Sequence, residues 1–167
     1  GAGGSATGGT GGGSGAGYFF DFNATIGAKS ISNKCTQKTD AFAVDAIGMV
    51  KAGLQFNIGC PGVIGTMVKN GGCYVVIKEI DKLPAGAYSF TLADANGSYK
   101  KWEIQCQQPA ADGGLTIGAI FAKTATISGK WDPTTKEIEG SASATWEDGG
   151  AYKPAGTTTV TFKGKVP

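Results

Sequence analysis

Three kinds of residue in this chain could do chemistry: close-set carboxylates, cysteines, and aromatic side chains beside turns. Acidic residues stand near one another at Glu79 with Asp81, Glu137 with Glu139, and Glu147 with Asp148. Residues two apart on a strand share a face and lie ~7 Å apart, within the range two carboxylates need to cleave a glycosidic bond. Acidic residues on a solvated strand face are far commoner than catalytic pairs, so the expectation is no enzyme. The chain has no His. A Ser-His-Asp or Cys-His nucleophile is therefore impossible within it, and the commonest transition-metal ligand is missing. Asp94 to Ser98 superficially resembles the start of a calcium loop, but the twelfth position is Gln105 where such a loop needs Glu. The stretch reads as a turn. No metal and no cofactor is expected.

The cysteines are Cys35, Cys60, Cys73 and Cys106. None are at C-x2-C spacing, and an even count in a chain of low charge reads as two disulfides made in an oxidising compartment. Three pairings exist. If residues 73–80, 86–93 and 98–106 form a simple meander, Cys73 and Cys106 fall at opposite ends of the sheet. The expectation is Cys60 with Cys73, closing the PGVIGTMVKNGG excursion, and Cys35 with Cys106. Among the aromatics, Trp131 precedes the turn Asp132-Pro133 and Tyr152 lies in the loop EDGGAYKPAG. Both read as rim residues and as candidate glycan contacts, whereas Trp102 and Trp146 fall on inward faces. Asn23-Ala24-Thr25 and Asn96-Gly97-Ser98 match the N-glycosylation pattern, making Asn23 and Asn96 candidate acceptors.

Composition narrows the partners. Charged residues are 17% of the 167, below the ~25% usual in globular chains. The formal net charge is +2, and all fifteen basic residues are Lys. Without the arginine fork that reads phosphate and guanine, no nucleic-acid role is expected. No apolar run reaches eighteen residues, so no membrane span is expected. The chain does not begin with Met and has no visible signal peptide, which fits a processed, exported protein or a trimmed one.

The elements that must position these residues are strands. In YFFDFNATI, Phe20, Phe22, Ala24 and Ile26 share one parity and Asp21, Asn23 and Thr25 the other, the signature of a half-buried strand. TTTVTFKGKV repeats it with Val160, Phe162 and Val166 against Thr159, Thr161, Lys163 and Lys165. KTATISGKWDPTTKEIEGSASATWE reads as a hairpin turning at Asp132 to Thr135, with Ile138, Ala142, Ala144 and Trp146 inward. Residues 86–106 read as a second hairpin about Asn96-Gly97. CYVVIKEI and GLTIGAIFA are continuously apolar and read as central strands. DAFAVDAIGMVKAGLQFNIG is ambiguous and leans to strand, because Gly48 and Gly53 each weaken a helix by ~1 kcal/mol. The expected fold is all-β: an antiparallel β-sandwich, jelly-roll or Ig-like in plan, of about eight or nine strands. Residues 18–167 form the single domain, and residues 1–17 precede it as an arm or linker.

That arm is GAGGSATGGTGGGSGAG, with ten Gly and no charge. Such a tract behaves as a flexible coil, similar to the spacers of exported bacterial lipoproteins. It leads straight into the detachable-looking strand at Tyr18. An arm, an alternating first strand and a small Thr/Gly-rich β-domain together resemble the extracellular fibre subunits, pilin-like proteins, that assemble by strand donation. The resemblance implies a homopolymer at the cell surface or outside the cell. Tyr18, Phe20, Phe22 and Ile26 would then be the assembly strand, with Val160 and Phe162 as its neighbours across a junction. The alternative is a tethered carbohydrate-binding or adhesive module with glycans as partner.

Overall fold

The computed structural model describes residues 17–37, 55–60, 72–94, 101–109, 115–117, 122–150 and 154–166. These form ten strands: β1 (Tyr18–Ile26), β2 (Lys29–Gln37), β3 (Gln55–Gly59), β4 (Gly72–Lys78), β5 (Gly86–Thr91), β6 (Trp102–Pro109), β7 (Leu115–Ile117), β8 (Ala122–Asp132), β9 (Glu137–Trp146) and β10 (Gly156–Lys165). Six make one sheet in the order β2-β1-β10-β9-β8-β5, and four make another in the order β3-β4-β6-β7. Every pairing is antiparallel. The all-β sandwich expected from the alternation is therefore the observed class.

In the six-stranded sheet each strand keeps the period-2 pattern its sequence carries. Phe20, Phe22 and Ile26 of β1, Ile127 of β8, Ile138 of β9, and Val160 and Phe162 of β10 are all buried. They meet Val75, Ile77, Trp102 and Ile104 of the four-stranded sheet in one core cluster. Burying side chains of this size contributes about 1.5–3 kcal/mol each, so the parity of each strand is strongly specified. The β1–β2 connection is two residues long because Gly27 adopts φ +59, a conformation that a side chain would strain. The β8–β9 turn forms where the sequence places it. Asp132 Oδ1 accepts hydrogen bonds from the Thr134 and Thr135 backbone amides at 2.8 and 3.3 Å, and Lys136 completes the reversal at φ 58.

One packing feature needs two glycines facing each other. Gly129 of β8 and Gly140 of β9 are register partners. Tyr88, opposite Gly129 on β5, lies across both: a Cβ on Gly140 would stand 2.5 Å from its hydroxyl. That hydroxyl donates to the Glu139 carbonyl at 3.1 Å.

Several expectations about connectivity are corrected. Residues 86–93 and 98–106 are not a hairpin, because β5 pairs with β8 and β6 pairs with β4. The chain changes sheets at the short 3-10 turn Leu92–Asp94. There the Asp94 carboxylate accepts from the Thr91 amide at 3.1 Å and ion-pairs with Lys101 at 3.4 Å. Because β5 leaves, β4 and β6 become direct antiparallel neighbours, with Cys73 opposite Cys106. The disulfides are accordingly Cys73–Cys106 and Cys35–Cys60, in place of the two expected pairings. The first joins two strands of one sheet. The second ties β2 of the large sheet to the residue after β3 of the small one. Of GLTIGAIFA, Leu115–Ile117 form β7, at an edge of its sheet among the described strands, Ala122 opens β8, and residues 114 and 118–121 lie outside the described residues. Of the ambiguous 40–59 stretch, Gln55–Gly59 is a strand, and residues 40–54 lie outside the described residues.

Candidate functional site

Of the paired carboxylates in the sequence, Glu79, Glu137, Glu147 and Asp148 are held by local partners. Glu79 pairs with Lys82 at 2.7 Å, and Glu147 with Lys123 at 3.5 Å. Asp148 accepts from the Gly150 amide at 3.0 Å. Glu137 accepts from the Tyr18 hydroxyl at 3.0 Å and pairs with Lys163 at 3.5 Å. Among the described residues no group of His, Cys, Asp and Glu is arranged to hold a metal ion. No helix among them is long and apolar enough to cross a membrane.

Of the two candidate glycan contacts, the structure describes Trp131. Trp131 is 5% exposed and belongs to the core cluster. This corrects its expected place on the rim: it is on the inward parity of β8, opposite Ile138, so proximity to a turn did not expose it. Its indole N–H is buried without a hydrogen-bond partner. It forms part of the wall of a depression of about 520 Å³, beside Lys130, Asp132, Glu139 and Lys163. Tyr152 and Asn96 lie outside the described residues.

Asn23 is exposed on the outward side of β1, within the surface that most distinguishes this molecule. Outward positions of the six-stranded sheet align in register across the strands. One row runs Ser32, Asn23, Thr159, Ser143, Thr126, Thr91 from β2 to β5. A second runs Ser30, Thr25, Thr157, Thr145, Thr124. Neither row contains a charge, and all but the half-buried Thr145 are exposed. Hydroxyls bond across strands, Thr124 to Thr145 at 2.8 Å and Thr126 to Ser143 at 3.1 Å. A shallow trough of about 320 Å³ runs between Asn23, Thr25, Ser30, Ser32, Thr157 and Thr159. A third row, Lys34, Asp21, Thr161, Ser141, Ser128, Ser89, borders these two, with Asp21 and Lys34 paired at 3.5 Å. The two uncharged rows offer closely set neutral donors and acceptors.

The outward side of the four-stranded sheet is different. Val76 is 3% exposed and Glu103 8% exposed, although both point away from the core shared with the other sheet. Tyr74 donates to Gln105 Oε1, and Gln105 Nε2 donates to Glu103 Oε1. Burial pushes the Glu103 carboxyl above its ordinary range, with Lys78 acting in the opposite direction. Burial, helped by the Glu103 charge, also raises the Tyr74 phenol.

The residues expected to form an assembly strand are brought together within one chain. β1 pairs with β10 through Phe20 opposite Phe162 and Phe22 opposite Val160, and with β2 along its other edge. It is an interior strand of its own sheet. Sequence reading missed the hydroxyl rows. Their signal was present, since Ser or Thr holds most of the polar parity in β2, β8, β9 and β10, but the register that aligns them across strands is a tertiary fact. A comparison with protein-family models, curated proteins and solved structures finds no match for this chain.

Proposed function

We propose that this chain is a non-catalytic structural subunit of an extracellular filament or matrix, joined to its copies through the glycine-rich arm. The observation that carries this reading is where the arm is rooted. Residues 1–17 run directly into β1, which has eight register partners on β10 and nine on β2. Tension on the arm along β1 loads both ladders in shear, and the buried Phe20, Phe22 and Ile26 resist it as well. The Cys35–Cys60 disulfide anchors β2 to the opposite sheet. It supports an oxidising, exterior location, where such bonds persist. An arm fixed this firmly is suited to transmitting force to a neighbour.

On this reading the exchanged piece is the arm and not β1. Donating β1 to a neighbour would strip both ladders and empty the centre of the core. The test compares the full chain with one lacking Gly1–Gly17 by electron microscopy and sedimentation velocity. Filaments or higher oligomers from the full chain, and folded monomers from the truncated one, are expected. Monomers from both would overturn the proposal.

One observation favours the tethered-module alternative. Phe19 pairs with Lys163, so β1 begins where β10 ends, and the chain enters and leaves the sandwich at the same end. That is the geometry of a pendant head. It predicts monomers in both samples and retention of the domain on insoluble glycan.

A further inference from the structure

Resting on the assembly reading above, we propose that the receptor for the glycine-rich arm of one copy is the hydroxyl face of the six-stranded sheet of the next. The arm carries no charge and no side chain larger than Thr. Residues 1–16 lie outside the described structure. Fully extended, residues 1–17 reach up to about 60 Å from their root at Tyr18. The six strands of the sheet, ~4.8 Å apart, span roughly 24 Å, so the arm is long enough to cross or follow a neighbour's sheet.

The match is one of period and of close approach. In any extended chain, groups pointing the same way repeat every ~6.8 Å. Thr157, Thr159 and Thr161 repeat at that interval along β10 because they too belong to an extended chain. An arm laid parallel to β10 therefore brings a backbone amide or carbonyl to a hydroxyl at every second residue. Those backbone groups need partners once they leave water, and Ser and Thr hydroxyls can both donate and accept. Glycine is what permits this. With no Cβ, the backbone can approach to hydrogen-bond distance, where larger side chains would hold it away. The trough between Asn23, Thr25, Ser30, Ser32, Thr157 and Thr159 is open and uncharged, as the arm is.

A receptor on its own sheet is disfavoured by direction. The arm leaves β1 beside Lys163, where Lys163, Glu139 and Lys130 stand side by side on the outward face. It would have to reverse and cross this charged row to reach its own hydroxyl rows. A neighbour's arm can enter from the opposite end, beside Gly156, where the flanking charges Lys123 and Glu147 pair with each other at 3.5 Å.

The test uses the full chain. Thr159→Lys with Ser143→Lys sets two charges in the middle of the face, and Thr159→Val removes a hydroxyl while keeping the shape. Thr135→Lys, at the β8–β9 turn, is the control. In sedimentation velocity the double lysine variant should weaken self-association at least tenfold. Thr159→Val should weaken it a few-fold and the control not at all, with circular dichroism unchanged throughout. Benzoylphenylalanine introduced at position 126 should photo-crosslink to residues 1–17 of a second copy, identified by mass spectrometry. If the full chain assembles, and loses assembly without its arm, yet ignores the face variants or crosslinks elsewhere, this inference is overturned and the assembly reading stands. If the full chain is monomeric with or without the arm, both fall.

Discussion

The two sheets of this sandwich share one core but differ on their other sides. Outward positions of the six-stranded sheet include two uncharged rows, almost all Ser and Thr, in register and open to solvent. Outward positions of the four-stranded sheet include the buried Val76 and Glu103. The first sheet is therefore amphipathic in the ordinary antiparallel way, and the second is covered on its outer side at Val76 and Glu103. The primary sequence carries this contrast as texture: TTTVTFKGK alternates, whereas CYVVIK is continuously apolar. A strand's pattern records how many of its faces are covered, so the texture separates the sheet that can meet a partner from the one already enclosed.

The covalent links mark the same contrast, and breaking them gives the largest expected effect. Cys35–Cys60 crosses between the sheets, and Cys73–Cys106 lies within the enclosed one. Their sequence separations are 25 and 33, so chain entropy alone gives both about 3–4 kcal/mol. Replacing either pair by Ser should lower stability in urea denaturation by roughly 2–4 kcal/mol. The Cys73/Cys106 variant should fall further, because two hydroxyls would be left in a site that is 0% exposed at both positions. Equal losses would mean the enclosed sheet is less sealed than its burial indicates.

A mirror pair of substitutions sharpens the comparison at single outward positions. Val76→Thr should cost about 1–3 kcal/mol, the penalty for burying an unpartnered hydroxyl. Thr159→Val, the reverse exchange on the open face, should stay within about 0.5 kcal/mol. Thermal unfolding of the two variants decides it, and similar losses would erase the distinction between the faces.

The smallest effect is in pH dependence, where the sheets differ in sign. Glu103, in the enclosed sheet, has a folded pKa raised by burial. The folded state then holds its proton more readily than the unfolded state. This contribution to stability is full below the unfolded carboxylate range and is lost as pH rises through the raised folded value. Asp132, at the turn of the open sheet, is lowered by the Thr134 and Thr135 amides. Its contribution is present above the unfolded range and is lost as pH falls. Glu103→Gln should therefore gain on the parent chain between about pH 4 and pH 7, read as urea midpoints at each pH. Asp132→Asn should lose on it as pH rises from about 2 to about 5 and keep a constant deficit above that.

What the sequence determined by itself is the local pattern. Alternation in YFFDFNATI placed Phe20, Phe22 and Ile26 inward because a half-buried strand has period 2 and no other register buries all of them. Asp132-Pro133 set the β8–β9 turn because its chemistry is contained in four consecutive residues. The absence of His removed whole classes of catalysis with no structure needed. What only the tertiary structure decided is which strands meet. Tyr88 and Trp102 each read as strand, but nothing local says that β5 joins β8 while β6 joins β4, and that choice put Cys73 opposite Cys106. Trp131 obeys the same rule: its exposure is set by the sheet it faces and not by the turn that follows it. The hydroxyl rows complete the case, since Asn23, Thr159, Ser143 and Thr126 are distant in sequence and become one surface only when four strands fall into register.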